Sequence, residues 1–148
     1  MEYRRATIDD VSNLIEMRKQ QLLDEGFPPV SNINLELQEY FTSGLNDDSF
    51  ISWLAVINSL IIATSGLCFY QLPPTYSNPS GRVAYVTNMF TRKEYRRQGI
   101  SSHLLNLIID EAKSLNYRVI RLHTSANAKS IYNKIGFVDS IGYMSLVV

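Results

Sequence analysis

Apolar residues recur along this chain with helical spacing in four segments and with strand spacing between them. The helical segments run from Val11 to a stop signal at Gly26, over residues 33–41, over residues 100–115 and over residues 128–135. Asp9 or Asp10 supplies the N-cap of the first helix, and Gly136 ends the last one. The polar stretch from Ser43 to Asp48 predicts the end of the second helix.

Runs of branched and aromatic residues between the helices predict strands. These runs are residues 3–8, 50–57, 60–69, 83–91 and 119–123, followed by one or two strands over residues 137–148. A turn at Asn58 and Ser59 predicts an antiparallel hairpin. The strand, helix and strand from Val83 to His123 predict a right-handed crossover between parallel strands. Residues 72–81 form a loop on composition alone.

The element order β-α-α-β-β-β-α-β-α-β predicts one α+β domain that covers residues 1–148. Its sheet should be largely antiparallel, with one parallel pair where the crossover occurs. No internal repeat, low-complexity tract or linker divides the sequence. A chain of 148 residues is long enough to bury a core of this kind.

Composition narrows the class of protein. The apolar fraction is 45%, the charged fraction is 19% and the formal net charge is zero, which argues against nucleic acid as the partner. The single cysteine, Cys68, excludes an internal disulfide, and the two distant histidines, His103 and His123, argue against a zinc centre. No window is apolar enough to span a membrane, and no apolar signal region follows Met1, so we expect a cytoplasmic protein.

Residues 92–103 carry the strongest chemical signal in the chain. They follow a predicted strand and open the clearest predicted helix, with four basic residues ahead of Gly99. The basic residues are Arg92, Lys93, Arg96 and Arg97. The first turn of a helix has unpaired N–H groups and the positive end of the helix dipole, and glycine lets an anion approach the backbone. The segment therefore predicts a phosphate-binding turn, with a solvated basic turn as the alternative.

Two common phosphate loops do not match this sequence. It has no Gly-x-x-x-x-Gly-Lys-Ser/Thr run, and Gly99 stands alone where a dinucleotide fingerprint needs three glycines. The pattern Arg96-x-x-Gly99-x-Ser101 instead resembles the acetyl-CoA-binding motif of the GCN5-related N-acetyltransferases, the GNAT superfamily. Residues 85–91 (Tyr-Val-Thr-Asn-Met-Phe-Thr) are similar to that family's central strand. Residues 130–137 (Ser-Ile-Tyr-Asn-Lys-Ile-Gly-Phe) resemble its Leu-Tyr-x-Lys-x-Gly-Phe segment.

The resemblance covers nearly the whole chain and implies a fold and a cosubstrate. The fold would be a mixed, mostly antiparallel, twisted sheet of six to seven strands with about four helices, in which the central parallel strands splay apart. The cosubstrate would be acetyl-CoA, with no metal; the strand backbone would pair with its pantetheine arm, and the N–H groups of residues 97–102 would point at its pyrophosphate. The implied cofactor-binding residues are Met89, Phe90, Thr91, Arg96, Arg97, Gln98, Gly99, Ile100, Ser101, Ser102, Ser125 and Tyr132.

Three residues are candidates for the chemistry. Tyr132 matches the family tyrosine that protonates the leaving thiolate, and a phenol with a pKa of roughly 10 keeps its proton at neutral pH; packing on the sheet is the alternative role. The backbone N–H of Phe90 would bind the acetyl carbonyl oxygen. Many relatives carry a glutamate on the central strand as the base, where this chain has Thr87 and Asn88. His123 is the candidate base, with a structural, hydrogen-bonded histidine as the alternative.

We therefore expect an N-acetyltransferase that passes acetyl directly from acetyl-CoA to a primary amine, most simply that of a small molecule. Asp24 and Glu25, at the end of the first predicted helix, are candidates for attracting a cationic amine. The alternative is a module that binds or senses acyl-CoA without catalysis, since the strand carboxylate is missing. The sequence leaves the acceptor, the pathway and a homodimer open.

Overall fold

The computed structural model describes residues 1–140, 142 and 144–148. Ten helices and strands follow one another along this part of the chain. They are β1 (Glu2–Arg5), α1 (Val11–Asp24), α2 (Asn34–Asp47), β2 (Phe50–Ile51), β3 (Trp53–Ile57), β4 (Leu60–Gln71), β5 (Arg82–Thr91), α3 (Ile100–Ser114), β6 (Ile120–Leu122) and α4 (Lys129–Ile135). Single-turn 3-10 helices at Ile8–Asp10 and Lys93–Tyr95 precede α1 and α3.

The six strands form one sheet in the order β1-β3-β4-β5-β6, with β2 paired to β4. The parallel pair is β5 with β6, joined by α3, and the other pairs are antiparallel. The β3–β4 hairpin turns at Asn58 and Ser59, which both take the positive φ values that such a turn requires. This mixed sheet with four helices confirms the predicted fold class.

Helices cover both faces of the sheet, and their apolar stripes explain why. On one face, Leu14 of α1 and Phe41 of α2 are buried against Phe50 and Phe90. On the other face, Leu105 and Ile108 of α3 are buried among residues of β4 and β5. Burying one such side chain stabilises the fold by about 1.5–3 kcal/mol, so β5 is held firmly between two layers. Among the helices of the described residues, none is both long enough and apolar enough to cross a membrane.

Two predicted boundaries differ from the observed ones for physical reasons. The predicted strand over residues 50–57 divides at Ser52, whose buried hydroxyl donates to the carbonyl of Ser65 at 2.6 Å. The helix predicted to end near Ser43 continues through Gly44 to Asp47. Gly44 is needed inside α2, since a Cβ there would lie 2.5 Å from the Cβ of Phe50.

The strands predicted over residues 137–148 are not found in the part of that segment that the structure describes. Residues 137–140, 142 and 144–148 have no strand pairing. The remaining two positions of the segment lie outside the described residues. The observed order therefore has one more strand before α3 than predicted, because of the break at Ser52, and ends at α4.

Candidate functional site

A β-bulge interrupts β5 at Asn88. The β4–β5 ladder pairs Gly66 with Thr87 but Thr64 with Phe90, so β5 holds one more residue than β4 between these pairs. Asn88 takes a positive φ of 53° to accommodate the extra residue. Its carbonyl accepts a hydrogen bond from the Thr64 hydroxyl at 2.9 Å. For each residue after the bulge, the N–H group points to the side opposite to the one it would face if the strand were uninterrupted.

The parallel strands β5 and β6 separate at the level of this bulge. Their pairing runs from Ala84 and Ile120 to Val86 and Leu122, and no pair of these strands follows among the described residues. The second half of β5 therefore has one edge without a strand partner. Such an edge can bind an extended ligand through main-chain hydrogen bonds, as an added strand would.

Backbone hydrogen bonding shows which N–H groups face this open edge. The N–H of Arg92 donates to the carbonyl of Ile62, in β4, at 2.9 Å. In an antiparallel ladder, residues two apart point to the same neighbour, so the N–H of Phe90 also points to β4. The N–H groups of Met89 and Thr91 point to the open edge instead. The Phe90 N–H, which was predicted to bind the acetyl oxygen, therefore does not face the open edge, because the bulge turns it towards β4.

The segment between β5 and α3 exposes a row of backbone N–H groups. Arg97 and Gly99 have left-handed φ values of 63° and 77°, a pattern that turns successive N–H groups to one side. Within the described chain, the N–H groups of residues 97–102 have no acceptor, and that of His103 makes the first helical bond, to the Gly99 carbonyl at 3.0 Å. A Cβ at Gly99 would meet no atom within 4 Å. This open backbone fits a diphosphate.

Two of the basic residues build this loop. The Nε of Arg92 donates to the carbonyl of Ile61 at 2.9 Å, and the Nε of Arg96 donates to the carbonyl of Thr91 at 2.9 Å. Arg96 also reaches the carboxylate of Asp24, at the end of α1, at 2.7 Å. That hydrogen bond lowers the pKa of Asp24. The arginines are therefore tied to the sheet and to α1, and the solvated-turn alternative does not describe them.

A cleft of about 890 Å³ lies between the end of α1, the open edge of β5, the loop before α3 and α4. It brings together residues that are far apart in the sequence, including all but one of the predicted cofactor-binding residues. Those that line it are Met89, Phe90, Thr91, Arg96, Arg97, Gly99, Ile100, Ser101, Ser102, Ser125 and Tyr132. The exception is Gln98, which is exposed and does not contribute to the lining. A hydrogen bond of 2.9 Å between the hydroxyls of Thr91 and Ser101 joins the strand to the helix mouth.

Tyr132 lies on α4 at the inner end of this cleft. Its ring packs edge-on against Phe137, with centroids 5.9 Å apart. Burial raises the pKa of Tyr132, and the negative charge of Glu25 raises it further. The phenol therefore keeps its proton above neutral pH and can donate it to a group in the cleft.

His123 lies just past the end of β6, and its Nδ1 is 2.5 Å from the hydroxyl of Tyr85 on β5. Tyr85 was not among the residues that the sequence predicted for the site. Its only signal was its position in the central strand, because the contact depends on the β5–β6 register, which places Tyr85 beside Arg121. Both Tyr85 and His123 line the cleft.

Of the two acidic residues at the end of α1, only one is paired with a cation among the described residues. Asp24 is bound to Arg96, as above. The Glu25 carboxylate instead accepts a hydrogen bond from the Gln21 amide at 3.1 Å and faces the cleft. Within the described residues, no group of three or more His, Cys, Asp or Glu side chains is arranged to hold a metal ion.

Comparison with known proteins agrees with this geometry. The model of the acetyltransferase (GNAT) family matches residues 15–137. A crystal structure of a predicted acetyltransferase with acetyl-CoA from Clostridium acetobutylicum is 39% identical, covers 99% of this chain and 95% of its own, and superposes with a TM-score of 0.94. None of the curated protein sequences matches the chain.

More distant structures share the fold. A GCN5-related N-acetyltransferase from Ralstonia eutropha has 20% identity and a TM-score of 0.91, with 99% of this chain and 97% of that chain covered. Glucosamine-6-phosphate N-acetyltransferase from Arabidopsis thaliana has 17% identity and a TM-score of 0.77, with the same coverage of 99% and 97%.

Proposed function

The chain belongs to the acetyltransferase (GNAT) family, and we propose that it transfers acetyl directly from acetyl-CoA to a primary amine of a small molecule. The observation that carries this proposal is the cleft in which an open strand edge, the unpaired N–H groups at the start of α3 and the half-buried phenol of Tyr132 meet. The similar structure from Clostridium acetobutylicum was solved with acetyl-CoA, which supports that cosubstrate.

The N–H groups of residues 97–102 hold the diphosphate of acetyl-CoA. Each interaction of this kind near the surface is worth roughly 0.3–1 kcal/mol, so several must act together. From there the pantetheine arm runs along the open edge of β5. It passes Thr91 first, because the Thr91 hydroxyl is bonded to Ser101 at the helix mouth, and reaches Met89 second.

Acetyl-CoA supplies a thioester, which Met89 and Tyr132 make reactive. The N–H of Met89 donates to the carbonyl oxygen, where negative charge develops during attack, and a donor of this kind is typically worth about 2.7–4 kcal/mol. Tyr132 protonates the sulfur as it leaves. Its raised pKa keeps it in the donating form across the neutral range.

The acceptor enters from the side of α1. Glu25 faces the cleft without a cationic partner among the described residues, so it attracts an ammonium group towards Tyr132. The ammonium must lose a proton before its nitrogen can attack, and His123 is the base for this step. The cleft has a volume of about 890 Å³ and is bounded by α1 and α4, which favours a small amine over a folded protein.

The test measures the release of free thiol from acetyl-CoA in the presence of a panel of small amines, aminoglycosides and peptides with a free amino terminus. We expect at least one small amine to accelerate thiol release and to gain an acetyl group by mass spectrometry. Tight binding of acetyl-CoA without acceleration by any amine would refute direct transfer and favour the module that only binds acyl-CoA. The control is the same panel with desulfo-CoA, which occupies the cleft but carries no thioester.

A further inference from the structure

Two cavities of the molecule meet at four shared residues. The cleft described above and a second cavity of about 600 Å³, which is lined by β6, share Tyr85, His123, Thr124 and Tyr132. Within this junction the Tyr85 hydroxyl and the His123 Nδ1 are 2.5 Å apart, with ring centroids 5.7 Å apart. The pair spans the point where β5 and β6 separate, so it lies between two strands that the sheet holds in place.

We propose that Tyr85 is the group that takes the proton from the acceptor ammonium, and that it passes its own proton to His123. This inference rests on the proposed function and adds to it a residue and a path. Tyr85 is a catalytic residue in this scheme, because its hydroxyl contacts the reacting nitrogen. His123 is the base that receives the proton from Tyr85.

The proton path balances over one turnover. The ammonium gives a proton to the Tyr85 oxygen as the Tyr85 O–H proton moves to Nδ1 of His123. The resulting imidazolium releases a proton to solvent, to which His123 is exposed, and proton exchange with solvent returns the neutral ring to the tautomer with its proton on Nε2. The nitrogen lone pair then forms the bond to the acetyl carbon, and the carbon–sulfur bond breaks. Tyr132 protonates the sulfur and regains a proton that the nitrogen loses as the amide forms. The products are an amide, a thiol and one proton.

The proposed path assigns one direction to the hydrogen bond between Tyr85 and His123. Tyr85 is half-buried, and burial raises its pKa, so its hydroxyl carries a proton at neutral pH. The path requires the Tyr85 O–H to donate to Nδ1, which leaves the proton of the neutral ring on Nε2. An imidazole that already accepts from Tyr85 can take up a proton from the substrate only through that hydroxyl.

Other charged groups lie near the Tyr85–His123 pair. Asp24 and Glu25 are less suited to the role, because one is bound to Arg96 and the other accepts from Gln21. The titratable and charged groups that line the same two cavities come from α1, β4, β6, α4, the loop before α3 and the C-terminal segment. They are Arg18, Asp24, Glu25, Tyr70, Tyr95, Arg96, Arg97, Arg121, Lys129, Tyr132 and Asp139.

The first experiment reads the hydrogen bond without any acceptor. The chain has two histidines, His103 and His123, so ¹⁵N-histidine labelling and the His103→Asn variant assign the ring signals of His123. With the ring neutral, we expect an unprotonated Nδ1 and a protonated Nε2 in the wild type, and a mixture of both tautomers in Tyr85→Phe. A protonated Nδ1 in the wild type would overturn the proposal.

The second experiment measures turnover with the best amine from the panel. We expect Tyr85→Phe and His123→Gln each to lower kcat by about 10²-fold or more, within the usual range for acid–base groups, while the acetyl-CoA dissociation constant changes less than twofold. In a plot of turnover against pH, the wild-type rate should fall on the acid side. In both variants we expect the pH at which this fall occurs to change with the basicity of the amine that is used. If Tyr85→Phe does not fold, the His123→Gln variant still tests the same proposal.

A tyrosine–histidine ring contact outside the cleft provides the matched control. Tyr3 and His103 have ring centroids 4.0 Å apart, and Tyr3→Phe should leave both the His123 tautomer and turnover unchanged. Turnover in Tyr85→Phe within twofold of the wild type, or a loss of rate with an unchanged pH profile, would overturn the relay. If no amine is acetylated by the wild type, the proposed function fails, and the tautomer measurement still decides whether the Tyr85–His123 bond has the proposed direction.

Discussion

Replacing Tyr132 with phenylalanine removes one hydroxyl from the site and should separate catalysis from folding. The ring would keep its edge-on contact with Phe137 at 5.9 Å. Among the residues that the structure describes, none hydrogen-bonds to the Tyr132 hydroxyl, and no polar side-chain atom is fully buried without a partner, so removing this hydroxyl leaves no polar atom unsatisfied. We therefore expect the free energy of unfolding to change by less than about 1 kcal/mol.

The same substitution should have a large effect on turnover. A positioned proton donor contributes about 10²–10⁴-fold to a rate, which corresponds to roughly 2.7–5.4 kcal/mol of barrier. We expect kcat for amine acetylation to fall by that factor, while calorimetry gives an acetyl-CoA dissociation constant within twofold of the wild type. The control is Tyr117→Phe, which removes a hydroxyl from a ring stacked on Phe69, outside the cleft. A Tyr132→Phe enzyme with wild-type kcat would refute the assigned role.

Three further substitutions test the loop, the fold and the charge in the cleft. Gly99→Ala makes the left-handed φ at this position unfavourable by about 1–2 kcal/mol, so the free loop should leave the conformation that binds the diphosphate, and acetyl-CoA binding measured by calorimetry should weaken roughly tenfold; unchanged affinity would contradict the anion loop. Asp10→Ala removes two 2.8 Å bonds from Arg4 and should lower the free energy of unfolding by about 2 kcal/mol in denaturant titrations at pH 7. Arg4 lowers the pKa of Asp10. The difference in the free energy of unfolding between wild type and Asp10→Ala should therefore have its full size above a pH of about 4 and disappear as the pH falls through that lowered pKa. A difference that persists in acid would contradict this reasoning. Glu25→Gln removes a charge that raises the pKa of Tyr132, so the alkaline limb of kcat should begin at a lower pH, and an unmoved limb would exclude this coupling.

Periodicity alone was sufficient for the helices and most strands of this chain. The stripe from Ile100 to Leu115 predicts α3 almost to the residue, because one face of that helix is fully buried in the core. The candidate site followed less directly. Arg96, Gly99 and Tyr132 were found from their motifs, and the structure brings them into one cleft.

The features that the sequence did not predict depend on contacts between distant segments. Gly44 reads as a helix breaker, yet α2 continues through it because Phe50 packs against its backbone. The contact between Tyr85 and His123 depends on the register of two parallel strands, which no local pattern specifies. The ion pair of Asp24 likewise depends on Arg96, which is far away in the sequence.

The bulge at Asn88 explains why the open edge and its N–H groups occur together. Without the extra residue, the N–H of Phe90 would face β6, and the regular spacing of a parallel ladder could continue past Val86. With it, the N–H groups of Met89 and Thr91 turn outward at the level where β6 departs. The opposite strand admits this bulge because it has Gly66, where a Cβ would lie 2.8 Å from the Phe50 ring and 3.1 Å from the Cβ of Asn88. The binding edge is therefore built into the interior of the sheet, where packing on both faces holds its N–H groups in position before any ligand arrives.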